Sequence, residues 1–189
     1  GPVLTKFPSN LQFLDLSWNL LSGTLPESIA RLSNLRLVGL SDNILTGSIP
    51  DRWFDNSNLE GLTKLGLILN FLQGTIPSAI AALSTLEFCS LSYNDFTGSV
   101  PATWQSIQSL TNLGLRNLTK LDGTLPAGLG RLTELRSLHL QYSRFRGTIP
   151  TQLGNLRQLE VLRLSGNRLT GAVPSSFVQL VMLGKSRKG

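Results

Sequence analysis

Leucines return along this chain at fixed offsets, in the phrase L-x-x-L-x-L-x-x-N-x-L-x-G-x-[IVL]-P, where [IVL] is an apolar position. Seven copies stand in phase, with glycines at Gly23, Gly47, Gly74, Gly98, Gly123, Gly147 and Gly171 and a proline three positions after each. The steps between those glycines are 24, 27, 24, 25, 24 and 24 residues. A fixed period in the twenties marks a solenoid, in which one unit cannot bury its apolar side alone and stacked neighbours supply the core. Such stacks build extended binding surfaces more readily than catalytic pockets.

The first copy, Leu11 to Asn34, shows the physics of one unit. Leu11, Leu14 and Leu16 point inward, and the alternation at Leu14 and Leu16 predicts a short strand. Phe13, Asp15, Ser17 and Trp18 face outward. Asn19 ends the strand, where its amide can satisfy turn backbone, and successive asparagines form a ladder. Gly23 permits a bend and Pro26 opens the return path. The ladder reads Asn19, Asn43, Asn70, Asn94, then Thr119 near the slot in a fifth repeat one residue longer, then Ser143 and Asn167. Three extra residues between Trp53 and Leu59 predict a convex bulge.

The L-x-x-L-x-L-x-x-N-x-L core resembles a leucine-rich repeat. Its L-x-G-x-[IL]-P continuation is similar to the plant-specific type found in receptor-kinase ectodomains, receptor-like proteins and polygalacturonase-inhibiting proteins. The resemblance implies an α/β, β-rich fold: a right-handed solenoid of about seven repeats, one concave parallel β-sheet, and few or short 3-10 or α helices. The repeats span 11–183. Residues 1–10 read as a partial repeat or expression scar, Gly1-Pro2 being the scar, and 184–189 as a basic tail. Secreted members of these families carry cysteine-paired caps. One cysteine cannot form a pair, so the chain is expected to be an excised segment or to lack caps, with Val181, Met182 and Leu183 at an open end of the core.

Charge alters this picture in one respect. The net charge is +6, but residues 1–100 carry 5 Lys/Arg against 8 Asp/Glu and residues 101–189 carry 12 against 3. That asymmetry points to an acidic partner near the C-terminal half. Without a nucleic-acid motif or dense basic stripe, nucleic acid is not expected. No apolar run is long enough to insert this segment into a membrane.

Catalytic chemistry finds little footing. His139 is the one histidine and Cys89 the one cysteine, which stands in a leucine position and is expected to be buried. There is no nucleophile elbow for a triad and no metal-ligand spacing, and no cofactor is implied. Asp15 and Asp42 are the outward acidic strand residues, expected on a flat ladder without a shared pocket. Asn117-Leu118-Thr119 is a glycosylation sequon.

Function is expected on the concave face. Phe13, Trp18, Leu69, Phe88, Tyr93, Arg116, His139, Tyr142 and Arg163 share the outward register, and Trp, Tyr and Arg are the types enriched at binding hot spots. An acidic or carboxylate-ended segment should lie toward Arg116 and Arg163, its apolar part nearer Tyr93. The resemblance implies a non-enzymatic protein or peptide recognition module, extracellular or at the cell surface as part of a larger protein. A polygalacturonase-inhibitor-like protein and a cytoplasmic leucine-rich repeat scaffold or effector are the alternatives.

Overall fold

The computed structural model describes residues 7–178 and 180. The expectations placed on Gly1-Pro2, on Val181 to Leu183 and on the basic tail lie outside these residues. Thirteen short strands follow one another: β1 (Phe13–Asp15), β2 (Ser22–Thr24), β3 (Leu37–Gly39), β4 (Ile44–Gly47), β5 (Lys64–Gly66), β6 (Phe71–Leu72), β7 (Phe88–Ser90), β8 (Asn112–Gly114), β9 (Asp122–Thr124), β10 (Ser137–His139), β11 (Arg144–Thr148), β12 (Val161–Arg163) and β13 (Arg168–Thr170). One strand per repeat builds a parallel seven-stranded sheet in the order β1-β3-β5-β7-β8-β10-β12. The segments that return the chain from one repeat to the next are 3-10 turns, running from Glu27–Arg31 to Ser175–Phe177, and the chain enters α-helix at Val178.

The inward column of the sheet explains its register. Leu14, Val38, Leu65, Cys89, Leu113, Leu138 and Leu162 are Cα partners in successive strands. Each places an apolar side chain on its neighbour, so a slip of one residue would turn the whole set to solvent. Each return path opens on an extended proline such as Pro26 or Pro101, whose carbonyl accepts the N–H three residues on, Ile29 at 3.3 Å and Trp104 at 3.2 Å. The indoles of Trp53 and Trp104 are fully buried, and each donates its N–H to a proline carbonyl one repeat back, at 3.0 and 3.4 Å. A buried indole thus contributes apolar area without an orphaned donor.

A second set of strands was not anticipated. The segment around each repeat glycine pairs with its neighbours into two further parallel sheets, β2-β4-β6 and β9-β11-β13, on the flank next to the concave face. Isolated bridges Thr75–Thr97 and Gly98–Leu121 join the gap between them. The three extra residues after Trp53 lengthen a 3-10 segment to seven residues, Asp51–Ser57, where most of the others have five.

The asparagine ladder is a set of bridges between repeats. Asn43 Oδ1 accepts the Leu21 N–H at 2.9 Å, and its Nδ2 donates to the Leu16 carbonyl at 3.0 Å. Asn70, Asn94 and Asn167 repeat the arrangement. The fifth repeat corrects the expectation for Thr119. Asn117 has the left-handed backbone that precedes each ladder residue, so Leu118 occupies the slot and is fully buried, while Thr119 is exposed. The extra residue falls after the slot rather than before it.

Cys89 sits in the leucine column with no exposed surface, and burial pushes its thiol pKa up to about 12. The thiolate is the reactive form. Native protein is therefore expected to resist a thiol reagent that labels it readily in denaturant; rapid labelling under native conditions would show that Cys89 is misplaced.

Candidate ligand-binding face

The concave sheet presents its outward side chains in columns, with strands about 4.8 Å apart. One column runs from Phe13 through Leu37, Lys64, Phe88, Asn112 and Ser137 to Val161, and the next from Asp15 through Gly39, Gly66, Ser90, Gly114 and His139 to Arg163. The glycines sit where an added side chain would crowd the neighbouring repeat. A Cβ on Gly39 would lie 2.6 Å from Asp15 Oδ1, one on Gly66 would lie 3.2 Å from Ser41 Oγ, and one on Gly114 would collide with Ser90 Oγ. They leave a shallow channel along the sheet.

Several positions expected to project outward form its floor instead. Ser90 and Ser92 are buried, as is Gln141. Ser17 Oγ accepts the Ser41 N–H, Ser41 Oγ the Ile68 N–H and Ser92 Oγ the Arg116 N–H, at 3.2, 3.2 and 3.1 Å. These hydroxyls are committed to the backbone of the next repeat.

Beyond the channel the chain turns over one residue. Trp18, Asp42, Leu69, Tyr93, Asn117 and Tyr142 have φ between 54° and 61°, and Gly166 follows at 68°. Glycine, asparagine and aspartate take this left-handed backbone readily, whereas Trp, Leu and Tyr do so at about 1–2 kcal/mol each. The turn sends the ladder residue inward and the strained side chain outward, leaving Trp18 79% and Tyr142 60% exposed. Backbone strain held beneath exposed aromatics points toward function.

The sequence-predicted residues fall into distinct hollows. One of about 340 Å³ is lined by Trp18, Leu69, Phe88, Ile68 and Lys64 together with Asp15 and Asp42. The two carboxylates thus share a hollow, contrary to expectation, because the channel is concave across strands as well as along them. Asp15 Oδ1 is occupied by the Ser17 N–H at 3.0 Å. A second hollow of about 260 Å³ brings together Phe88, Ile68, Arg116 and His139. Phe88 and Ile68 line both and so stand at the junction between them.

Four predicted residues stand apart from these two hollows. Phe13 is exposed on the edge strand. Tyr93 lies beneath the Arg116 guanidinium, 4.8 Å from ring centroid to carbon, and lines a third hollow on the flank. Tyr142 lines a fourth, and Arg163 is exposed near the C-terminal end of the sheet. The prediction omits Ile44 and Phe71, which are exposed beside Tyr93. Their signal is the column immediately after the ladder residue, apolar in the first three repeats at Leu20, Ile44 and Phe71.

His139 is the titratable group of the channel. Burial lowers its pKa from the ordinary value of 6.5, and the cations of Arg163 and Arg116 lower it further. The unfolded chain therefore binds this proton first. Its contribution favours the fold at neutral pH and is lost as pH falls below about 6.5. The melting temperature is expected to drop more between about pH 7 and pH 5 than it does in His139→Gln; equal drops would remove His139 from the acid response.

Against known proteins, leucine rich repeat family models match residues 133–185 and 10–32. Receptor-like protein 31 of Arabidopsis thaliana is 43% identical over 75 residues, which are 39% of this chain and 9% of that protein. The ectodomain of the Arabidopsis receptor kinase GASSHO1/SCHENGEN3, solved with CASPARIAN STRIP INTEGRITY FACTOR 2, superposes with a TM-score of 0.87 at 37% identity, covering 91% of this chain and 20% of that one. The Arabidopsis receptor kinase HAESA, solved with the peptide hormone IDA and the co-receptor SERK1, gives 0.80 at 33% identity, covering 91% and 33%. The chain is a leucine-rich repeat protein of the plant type. It spans between a tenth and a third of the length of these relatives.

Proposed function

We propose that this chain is a non-enzymatic recognition module that seats an extended peptide, or an extended segment of a protein, on its concave face. The observation that carries this reading is the glycine-floored channel, whose walls change from apolar at Trp18, Leu69 and Phe88 to basic at Arg116, His139 and Arg163. Phe88, at the junction, is the apolar anchor. A carboxylate of the ligand lies toward His139 and its two arginines, where it offsets like-charge repulsion. Binding of that carboxylate raises the His139 pKa, so affinity strengthens as the pH is lowered. The likeness to plant receptor kinases, one of them solved with a peptide hormone, supports the same reading, and with it a place outside the cell or at its surface within a larger protein.

The test is selection of binders from a library of random linear peptides. Selected sequences should combine an aromatic or aliphatic residue with an acidic residue or C-terminus. Phe88→Ala and Arg163→Ala should each weaken the selected peptides by about 2 kcal/mol, as truncated anchors do, while the exposed control Arg157→Ala leaves them unchanged. Equal, negligible losses in all three would reject the concave face.

A further inference from the structure

The two flank sheets differ in chemistry. On β2-β4-β6 the side chains include Ser22, Thr24 and Thr46 with the exposed apolar Ile44 and Phe71, the latter 43% and 56% exposed. On β9-β11-β13 and the turn before it stand Lys120, Arg144, Arg146 and Arg168 against Asp95 and Asp122. Lys120 Nζ pairs with Asp95 at 3.3 Å, and Arg146 Nε with Asp122 at 3.1 Å. Among the described residues, neither Arg144 nor Arg168 has a carboxylate within ion-pair distance. Arg168 is moreover the cross-strand partner of Arg146. Like charges directly opposite in a sheet are destabilising, so this register lowers the stability of the free protein.

Two hollows join the apolar part to the basic one. The first, about 450 Å³, is lined by Ile44, Leu69, Phe71 and Tyr93, with the carboxylates of Asp42 and Asp95 also at its wall, so a ligand's anions must lie away from it. The second is lined by Tyr142, Arg144 and Arg168. Asn117 and Thr119 line both, so the two form one continuous surface along the flank.

We propose that this flank is a second docking surface, separate from the concave channel, which takes an extended acidic segment of a partner protein carrying an apolar side chain at one end. The apolar side chain enters the hollow at Ile44 and Phe71, and the carboxylates reach Arg144 and Arg168. Four strand spacings separate Phe71 from Arg168, roughly 19 Å, which an extended chain covers in about six residues. The occupant is a polypeptide because it must present both apolar side chains and anions along one strand. A polysaccharide supplies the charge without the apolar anchor, and a nucleic acid would bring a phosphate at every unit, including beside the Asp42 and Asp95 carboxylates that line the apolar hollow. Charge complementarity orients it, and the apolar hollow fixes its register.

The test uses the bacterially produced chain, which carries no glycan at Asn117, and a fluorescent synthetic peptide. That peptide has phenylalanine at one end and three glutamates about six residues away across a serine–threonine spacer. It is made in both sequence directions. Controls are a glutamate peptide of equal charge and heparin. One direction of the composite peptide is expected to bind more tightly than either control. Phe71→Ser and the double variant Arg144→Ser/Arg168→Thr should each weaken it about tenfold, whereas the exposed control Arg157→Ala has no effect. Arg168→Thr alone should keep or raise the melting temperature, because it removes the like-charged neighbour, and this separates lost binding from lost folding.

Failure of both directions to bind would overturn the proposal. So would equal binding of the glutamate peptide or heparin with no effect of Phe71→Ser, which would leave a merely electrostatic flank. A loss caused by Phe88→Ala and not by the flank variants would place the peptide in the channel; that would overturn the flank while leaving the concave reading intact.

Discussion

Asn94→Ala is expected to destabilise the protein by about 3 kcal/mol, because each buried polar group left unpaired costs roughly 1–3 kcal/mol. Asn94 Oδ1 accepts the Leu72 N–H at 3.0 Å. Its Nδ2 donates to the carbonyls of Leu67 at 2.8 Å and Leu91 at 3.0 Å. Alanine removes these bonds and a longer one from Nδ2 to the Ser92 carbonyl, at a site with almost no access to water. Asn19 provides the contrast. It is exposed, and its Nδ2 reaches only the carbonyls of Leu16 and Ser17 within its own repeat. Water replaces it, so Asn19→Ala should lose about 1 kcal/mol or less. Denaturant unfolding of the two variants decides the matter: similar midpoint shifts would mean that the ladder does not tie the repeats together.

Gly130→Val should cost a comparable amount for a different reason. Gly130 is buried in the 3-10 segment Ala127–Arg131, which packs on Thr151–Asn155 of the next repeat. A Cβ there would run into the backbone carbonyl of Gln152. Backbone cannot rotate away as a side chain can, so repeats five and six must separate. Overpacking of this kind typically costs about 1–3 kcal/mol, and the branched side chain places valine at the upper end. Gly128→Ala in the same segment is the control. Its nearest neighbours are Gln105 Oε1 at 2.8 Å, the far end of a flexible side chain, and Gln105 Cβ at 3.0 Å, which has to give by only a few tenths of an ångström. That variant should stay within about 0.5 kcal/mol of wild type. If Gly130→Val unfolds at the same denaturant concentration as Gly128→Ala, the stacking of those two segments is looser than described.

The repeat was legible because its period is enforced by the core. Every unit must present an apolar residue at the position of Leu14, and Cys89 could be placed there by its spacing alone. The flank sheets were not legible, since their strands contain Gly23, Gly123 and short polar residues with little strand preference. Their pairing is also slanted: Ser22 lies opposite Ile44 and Asp122 opposite Arg144, offsets that differ from the repeat period. The fifth ladder slot was misread because Thr119 is polar and Leu118 is not, whereas the slot is fixed by the turn at Asn117. Of the candidate face, the outward register of Phe88, Arg116 and His139 was visible, and so were the aromatics at the turn. Alternation alone could not distinguish a short serine lying under its neighbours from one that reaches solvent. Nor could it show that Ile44 and Phe71 adjoin Tyr93, because the flank sheet that positions them was itself unseen.

Leu118 has a mechanical consequence. A solenoid is a nearly one-dimensional stack in which each joint bears load independently. In the ladder, asparagine or Ser143 rivets the neighbouring joints, but the joint between the fourth and fifth repeats has an aliphatic side chain in that place and a lone bridge, Gly98–Leu121, on its flank. This joint therefore lacks the side-chain rivet of its neighbours and is held instead by Ala102–Ser106 packed on Ala127–Arg131, by the Lys120–Asp95 pair and by Arg116 over Tyr93. Anything laid along the flank from Phe71 to Arg168 crosses the one place in the stack where a leucine takes the rivet's position.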